Sequence, residues 1–434
     1  MSTLITGSTA SEIVDSVRAL RERGILAPGD VLPSVRELAR ALGINRNTAT
    51  AAYQQLAQAG LVHSRGRAGT ILAGQPRSAQ EGYARDTVLR DVGTGNPDPA
   101  LIPDPTAGLA AVARRPVLYG EPVIDVQLEA WAQRWFAPDL PGLNPRITVT
   151  SGAVDAVERL LAQALTRDDA VALEDPCFLA SIHTVRLGGY RAVAVPVDDE
   201  GMTVAGLRAA LDAGIRAIVC TPRAQNPTGV NLSPHRAHAL REVLADHPYV
   251  LIIEDDHFSM LAQHPYETLI GPGHERYALV RSVSKFLGPD MCVALAATDA
   301  TTAERLALRL SPGTTWVSHL LQRLTHAQLS DPSVQQAIAA AGAHYAARNG
   351  AFVARLAEHG LVAASGDGLN VWVTLPLPAR AVIDKLMRRG WLARTGDEFV
   401  LEPDGPSHHL RLTVHNLSHA DSETLLRDLV WAVS

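Results

Sequence analysis

Between Ser11 and Arg23 the apolar residues Ile13, Val14, Val17 and Leu20 recur at helical spacing along one face, and Gly24 ends the run, which predicts a first helix. Pro28-Gly29-Asp30 reads as a turn, Pro33-Ser34 as the N-cap of a second helix over Val35–Leu42, and Gly43 as its stop. Asn45 opens a third helix that runs through Arg46, Asn47, Thr48, Thr50, Tyr53 and Gln54 to Gly60. After it, Leu61 to Leu72 alternates around Gly66 and Gly69 as a two-stranded wing would.

From residue 73 the periodicity stops. Gly74, Gln75, Pro76, Ser78, Gln80 and Gly82 make residues 74–90 a linker between a head (1–73) and a body (91–434). In the body, short apolar runs at Ala170–Leu173, Ala217–Cys220, Val250–Ile253 and Leu279–Val280 alternate with helical stretches, the pattern of an α/β domain with a mostly parallel sheet covered by helices. Strands around Val371–Leu375 and His409–Val414 lie among helices in the tail. The body therefore divides into a large lobe of about 115–310 and a smaller α+β lobe of about 325–434.

Length and composition agree with two domains: 434 residues, 47% hydrophobic and 19% charged, are enough for one small and one large core. No apolar run approaches the roughly 20 residues of a membrane helix, and Glu12 and Asp15 break any leader pattern, so a soluble cytoplasmic protein is expected. Cys177, Cys220 and Cys292 are too scattered for a disulfide framework or a zinc site and read as reduced core thiols; no metal is expected. The net charge of −6 means that nucleic-acid binding would need a local basic patch.

The head carries such a patch. In a helix-turn-helix the second helix of the motif enters the major groove, so its first turns need hydrogen-bonding and basic side chains, which Asn45, Arg46, Asn47, Thr48 and Thr50 supply. Arg36 before it and Arg65 and Arg67 in the wing suit phosphate contacts, which position without reading sequence. The plain alternative is a small packing domain with solvated arginines.

In the body, Lys285 ends an apolar strand in Arg-Ser-Val-Ser-Lys. A lysine so placed can form a Schiff base with an aldehyde cofactor while Ser282 and Ser284 offer hydroxyls to its phosphate. Asp255, after another strand, can set a carboxylate against a pyridinium nitrogen. Asn226 can donate to a phenolate oxygen, and Ser151-Gly152-Ala153 opens a helix whose N–H groups suit phosphate. Each has an ordinary alternative: a solvated strand-end lysine, a helix cap, an Asn-Pro turn, a plain helix start.

The run from Pro28 to Thr70, with Leu-Pro-Ser-Val-Arg-Glu-Leu-Ala, Asn-Arg-Asn-Thr and Arg-Gly-Arg-Ala-Gly-Thr, closely resembles the GntR-type winged helix. From about residue 91 onward, Ser-Gly-Ala, Glu-Asp-Pro-Cys-Phe, Asn-Pro-Thr-Gly, Asp-Asp and Ser-x-Ser-Lys, in this order, are similar to the fold-type I aminotransferases. That similarity implies pyridoxal 5'-phosphate as cofactor, with Phe178 stacked on its ring, Asn226 and His257 near its phenolate oxygen, and Tyr119 reaching its phosphate across a dimer interface. It also implies that Arg411, in Leu-Arg-Leu-Thr-Val, grips a substrate or effector carboxylate, where the plain alternative is an edge-strand surface arginine.

The joined layout resembles the MocR regulators, and within them the group that senses vitamin B6. Two positions depart. Cys292 stands where the family places an arginine against the cofactor phosphate, a loss of a few kcal/mol, or about two orders of magnitude in affinity. His257 stands where it places a tyrosine. The resemblance implies a homodimer that binds a double-stranded operator and responds to pyridoxal phosphate, a B6 vitamer, or an amine or amino acid condensed with it. Lys285, Asp255 and Arg411 together also leave open an active aminotransferase carrying a DNA-binding head, and an empty pocket would make the body a dimerisation scaffold.

Overall fold

The computed structural model describes residues 4–27, 29–58, 61–64, 69–72, 82–84, 87–112, 116–310, 316–364, 366–402 and 405–434. Arg65 and Arg67, with Pro28, Gly60, Gly66 and most of 74–90, lie outside them. The chain divides into two compact units, the first holding Met1–Gln80 and the second Glu81–Val185 with Tyr190–Ser434.

In the first unit, helix α1 (Ala10–Glu22) starts at a capping box in which the Thr9 hydroxyl accepts from the Glu12 N–H and the Glu12 carboxylate accepts from the Thr9 N–H. Its buried stripe is Ile13, Val14, Val17 and Leu20. Helix α2 (Val35–Leu42) repeats the device with Ser34 and Glu37 and ends at Gly43, whose φ of 65° needs a residue without a side chain. Helix α3 (Arg46–Gln58) buries Ala49, Ala52, Tyr53 and Leu56, and Tyr53 donates its hydroxyl to the Pro33 carbonyl, tying α3 to the residue before the α2 cap. Strands β1 (Val62–Ser64) and β2 (Thr70–Leu72) pair antiparallel, Val62 opposite Leu72, as the wing. One core of Ile, Leu, Val and Ala side chains unites these pieces, each buried aliphatic contributing about 2 kcal/mol.

The second unit begins with β3 (Arg90–Asp91), α4 (Thr106–Val112), α5 (Val126–Phe136), β4 (Arg146–Thr150), α6 (Ala153–Ala164), β5 (Ala170–Asp175), α7 (Leu179–Leu187), β6 (Arg191–Asp198) and β7 (Gly201–Met202). It continues through α8 (Val204–Asp212), β8 (Ile215–Cys220), α9 (Pro234–Leu244), β9 (Leu251–Asp255), β10 (Tyr277–Ser282), β11 (Ala294–Thr298), α10 (Ala300–Leu310) and α11 (His319–Leu329). The chain ends with α12 (Pro332–Glu358), β12 (Val362–Ala363), β13 (Val371–Thr374), α13 (Ala379–Arg388), β14 (Trp391–Leu392), β15 (Arg394–Thr395), β16 (His409–Leu412) and α14 (His419–Val433).

Eight strands form the main sheet in the order β4-β11-β10-β9-β8-β5-β6-β7. The central pairs β10/β9, β9/β8, β8/β5 and β5/β6 are parallel; β11 and β7 run antiparallel to their neighbours. The central strands are buried along almost their whole length, as a sheet covered on both faces demands, and separate apolar clusters lie on its two faces. Strands β12-β13-β16-β15 form a second sheet, and β3 pairs with β14 in parallel. Both small-lobe sheets pack on a third cluster that includes α13 and α14.

Candidate functional site

In an open parallel sheet the crevice lies at the carboxyl ends of the strands. A cavity of about 240 Å³ is lined there by residues that follow β4, β5, β8, β9 and β10. Ser151, Gly152 and Ala153 come from the β4–α6 turn, Phe178 from after β5, Thr221 and Asn226 from after β8, and Asp255 and His257 from the end of β9. Ser282, Ser284 and Lys285 come from the end of β10. Eleven separate sequence positions thus meet in one place because parallel strands deliver their ends to a common edge. Thr221 was not anticipated, although a polar residue directly after an apolar strand is the same signal that marks Asp255.

Asp255 is 7% exposed, and its Oδ1 has no hydrogen-bond partner in the protein. Burial, with the Asp256 charge adding to it, lifts its carboxyl to about 7 against a partial lowering by Lys285. Its neighbour Asp256, one position on, is fully buried yet stays below the usual carboxylate range: burial opposes ionisation, but Arg281 and Arg223 outweigh it. Arg223 forks onto both Asp256 oxygens at 2.7 and 2.8 Å, and Arg281 donates to Oδ2 at 2.7 Å and also pairs with Asp139. One carboxylate is therefore locked into a structural ion cluster and the other is left facing the cavity.

Lys285 donates its Nζ to the Gly95 carbonyl at 3.1 Å, and Ser282 and Ser284 share a hydroxyl contact of 3.0 Å. At the helix start the Ser151 N–H already donates to Asp155, which Arg159 neutralises at 2.6 Å; Gly152 and Ala153 open α6 at the cavity wall. Arg411 is fully buried on β16, an inner strand of its sheet, which overturns the edge-surface alternative. It donates to Asn226 Oδ1 at 3.0 Å and to the Gly93 carbonyl at 2.8 Å, with its guanidinium over Phe399, so it abuts the cavity through Asn226.

One sequence expectation changes here. Cys177 and Cys220 are core thiols, but Cys292 is exposed at the rim of the cavity, because the backbone turns left-handed there (φ 46°) at the end of a short 3-10 turn. Tyr119 is 91% exposed, packs on Trp316 and does not line the cavity of its own chain.

In the first unit Asn45 caps α3, its side chain accepting from the Asn47 N–H at 2.8 Å, and Arg46 and Asn47 are exposed on the first turn. Thr48 and Thr50 are half-buried, and Thr50 returns its hydroxyl to the Arg46 carbonyl at 3.0 Å. Arg36 is exposed on α2, as is Arg40, which sequence reasoning passed over and which shares its helix face one turn on.

Residues 110–429 match the aminotransferase class I and II family, and residues 9–72 match the gntR family of bacterial regulatory proteins. The vitamin B6 salvage pathway transcriptional repressor PtsJ of Salmonella typhimurium is 44% identical over 99% of this chain and all of its own length. The chain is a MocR-type regulator. The pyridoxine biosynthesis regulator PdxR of Corynebacterium glutamicum is 28% identical to this regulator over 58% of the chain and 57% of its own. Among solved structures, a multiple substrate aminotransferase from Thermococcus profundus has a TM-score of 0.72 at 20% identity, covering 82% of the regulator and 96% of the enzyme. The kynurenine aminotransferase of Pyrococcus horikoshii has a TM-score of 0.71 at 19% identity, covering 80% and 91%. Such likeness establishes the fold of the body: a fold-type I aminotransferase-like domain behind a winged helix-turn-helix.

Proposed function

We propose that this regulator binds pyridoxal 5'-phosphate at Lys285, binds a double-stranded operator as a cytoplasmic homodimer through α3, and changes its DNA affinity when the cavity is filled. The effector is pyridoxal phosphate, another B6 vitamer, or an amino compound condensed with the cofactor. One observation carries the reading: a buried carboxylate, Asp255, leaves an oxygen without a partner beside Lys285 in a cavity rimmed with serine hydroxyls. An unsatisfied buried acceptor is costly, and a protonated ring nitrogen is the group that would satisfy it. The B6-related roles carried in the names of the Salmonella and Corynebacterium regulators support the same class of effector.

When bound, the cofactor supplies an aldehyde for primary amines and a ring that withdraws electrons from them. The chain's own residues would then divide the work. Lys285 holds it covalently, and Asp255 keeps the proton on the ring nitrogen. Phe178 covers the ring, Asn226 and His257 flank the phenolate oxygen, and Ser151, Gly152, Ala153, Ser282 and Ser284 hold the phosphate. Tyr119, exposed on its own chain, is offered to the cavity of a second copy. Arg411, buried behind Asn226, would receive a ligand carboxylate, which keeps residual transamination as the alternative, while Cys292 in place of an arginine favours a releasable ligand over a resident one.

The test is an absorbance titration of the apo-protein with pyridoxal phosphate, then borohydride reduction, peptide mapping and operator binding with and without the ligand. A saturable band, label on Lys285 that Lys285→Ala abolishes, and altered DNA affinity are expected. A band that survives in Lys285→Ala overturns the site, rapid turnover of amino acids points to the enzyme, and no band at all leaves a scaffold.

A further inference from the structure

The two cations that a ligand would claim both donate to the same short stretch of backbone. Lys285 reaches the carbonyl of Gly95 and Arg411 that of Gly93, which Arg394 also holds at 3.0 Å. These carbonyls belong to residues 90–96, the first described stretch after the unit boundary apart from residues 82–84 and 87–89. Whatever passes along the chain between the body and the DNA-binding head passes through it. We propose that residues 90–96 form a strap latched by Lys285 and Arg411, that a ligand taking either cation unlatches it, and that its release carries the occupancy signal toward the head.

The stretch is also anchored by the Arg90–Asp421 ion pair, by Val92 in the small-lobe core, and by the Val92 and Thr94 carbonyls, which accept from the Thr413 N–H at 2.6 Å and the Gly82 N–H at 2.7 Å. Arg90 and Val92 donate to Gly390 and Leu392 at 2.8 Å, a two-residue pairing with β14. The Gly95 N–H donates to Thr413 Oγ1 at 2.9 Å, and the Asn96 carbonyl accepts from His415 at 3.1 Å. Gly95 also walls a cleft of only about 10 Å³ together with Asn226, His257, Lys285 and Asn370. That space holds no amino-acid side chain as it stands, and Gly95 forms part of its wall. Removing a cation from a carbonyl costs the strap a charge-assisted hydrogen bond, the stronger kind, and leaves that carbonyl to water or to another donor. Losing such a bond raises the open population of the segment against the contacts that remain.

The inference rests on the ligand-binding reading, and the experiment separates the two. Hydrogen exchange of the full chain is followed in peptides covering 90–97, with pyridoxal phosphate as probe and its absorbance band as the independent record of occupancy. Loading should speed exchange there by about fivefold or more, the effect of one lost net hydrogen bond. Lys285→Ala should do the same without the probe. Thr413→Val, which removes the acceptor for Gly95 and the donor to Asn370 but leaves the lining of the 240 Å³ cavity unchanged, should both speed exchange and shrink the difference in operator affinity between free and loaded protein. A filled cavity with unchanged or slower exchange overturns the strap whatever Lys285→Ala does. If the probe fails to bind, the ligand-binding reading falls, and Lys285→Ala alone decides: faster exchange supports the latch, unchanged exchange removes it.

Discussion

Asp255 and Asp256 differ in nothing but which way the chain points them, and strand alternation sends one to the cavity and the other to two arginines. The cost falls on Asp255. Its folded carboxyl sits at about 7 against an ordinary value of 3.8, so between those values the folded state binds more protons than the unfolded one. Stability from this group therefore falls as pH rises through that window, and the full penalty stands above about 7. Glu174 and Glu254, lifted by burial to about 8 and about 7, act in the same direction. Asp255→Asn removes one of the three. The ligand-free variant should melt higher than the parent at pH 8, by something on the order of 2 kcal/mol, and equal it near pH 4. A variant no more stable at pH 8 would mean that Asp255 is already satisfied in solution. The same variant should hold pyridoxal phosphate more weakly, since an amide cannot keep a ring nitrogen charged.

At the scale of elements, α3 is the piece whose chemistry and packing separate cleanly. Ala49, Ala52, Tyr53 and Leu56 go into the core, and Arg46 and Asn47 stay outside it on the first turn. Arg46→Ala should cost operator binding about 1–3 kcal/mol in fluorescence anisotropy while leaving the melting temperature in place; a loss of fold with binding would reassign Arg46 to structure. The first two head helices and the start of the third were legible to within one or two residues, because the cap at Ser34, a stop at Gly43 and a 3.6-residue stripe agree; the Thr9 cap of the first helix was passed over. The buried strands were legible as apolar runs, and Lys285, Asp255 and Asn226 as polar residues just beyond them. What escaped is what joins distant parts. Lys285 and Gly95 are 190 positions apart and Gly93 and Arg411 are 318 apart, and the acceptors are carbonyls that every residue owns. The Arg281–Asp256–Arg223 cluster escaped because a charge inside an apolar strand run says nothing about its partner.

On the scale of the whole assembly, an exposed Tyr119 beside exposed Leu118, Val123 and Val126 gives the body an apolar stretch that a second copy would cover. If that copy's cavity is where the Tyr119 hydroxyl goes, dimerisation and cofactor binding are linked. Pyridoxal phosphate should then bind about tenfold more weakly to Tyr119→Phe, the loss expected for one charge-assisted hydrogen bond, and dilution of the parent protein should weaken binding in the same way. Titrations at several protein concentrations decide it: affinity independent of both changes would make each chain's cavity self-sufficient.

Cys292 gives the molecule a reporter that needs no engineering. Of its three thiols, two are sealed in the core and one stands at the mouth of the cavity. A maleimide added to the native protein should therefore modify a single site, and pyridoxal phosphate in the cavity should slow that modification in proportion to occupancy. Labelling read by intact mass would yield a binding curve inside a crude extract, where absorbance is useless, and labelling that ignores the ligand would show that the rim lies beyond the ligand's reach.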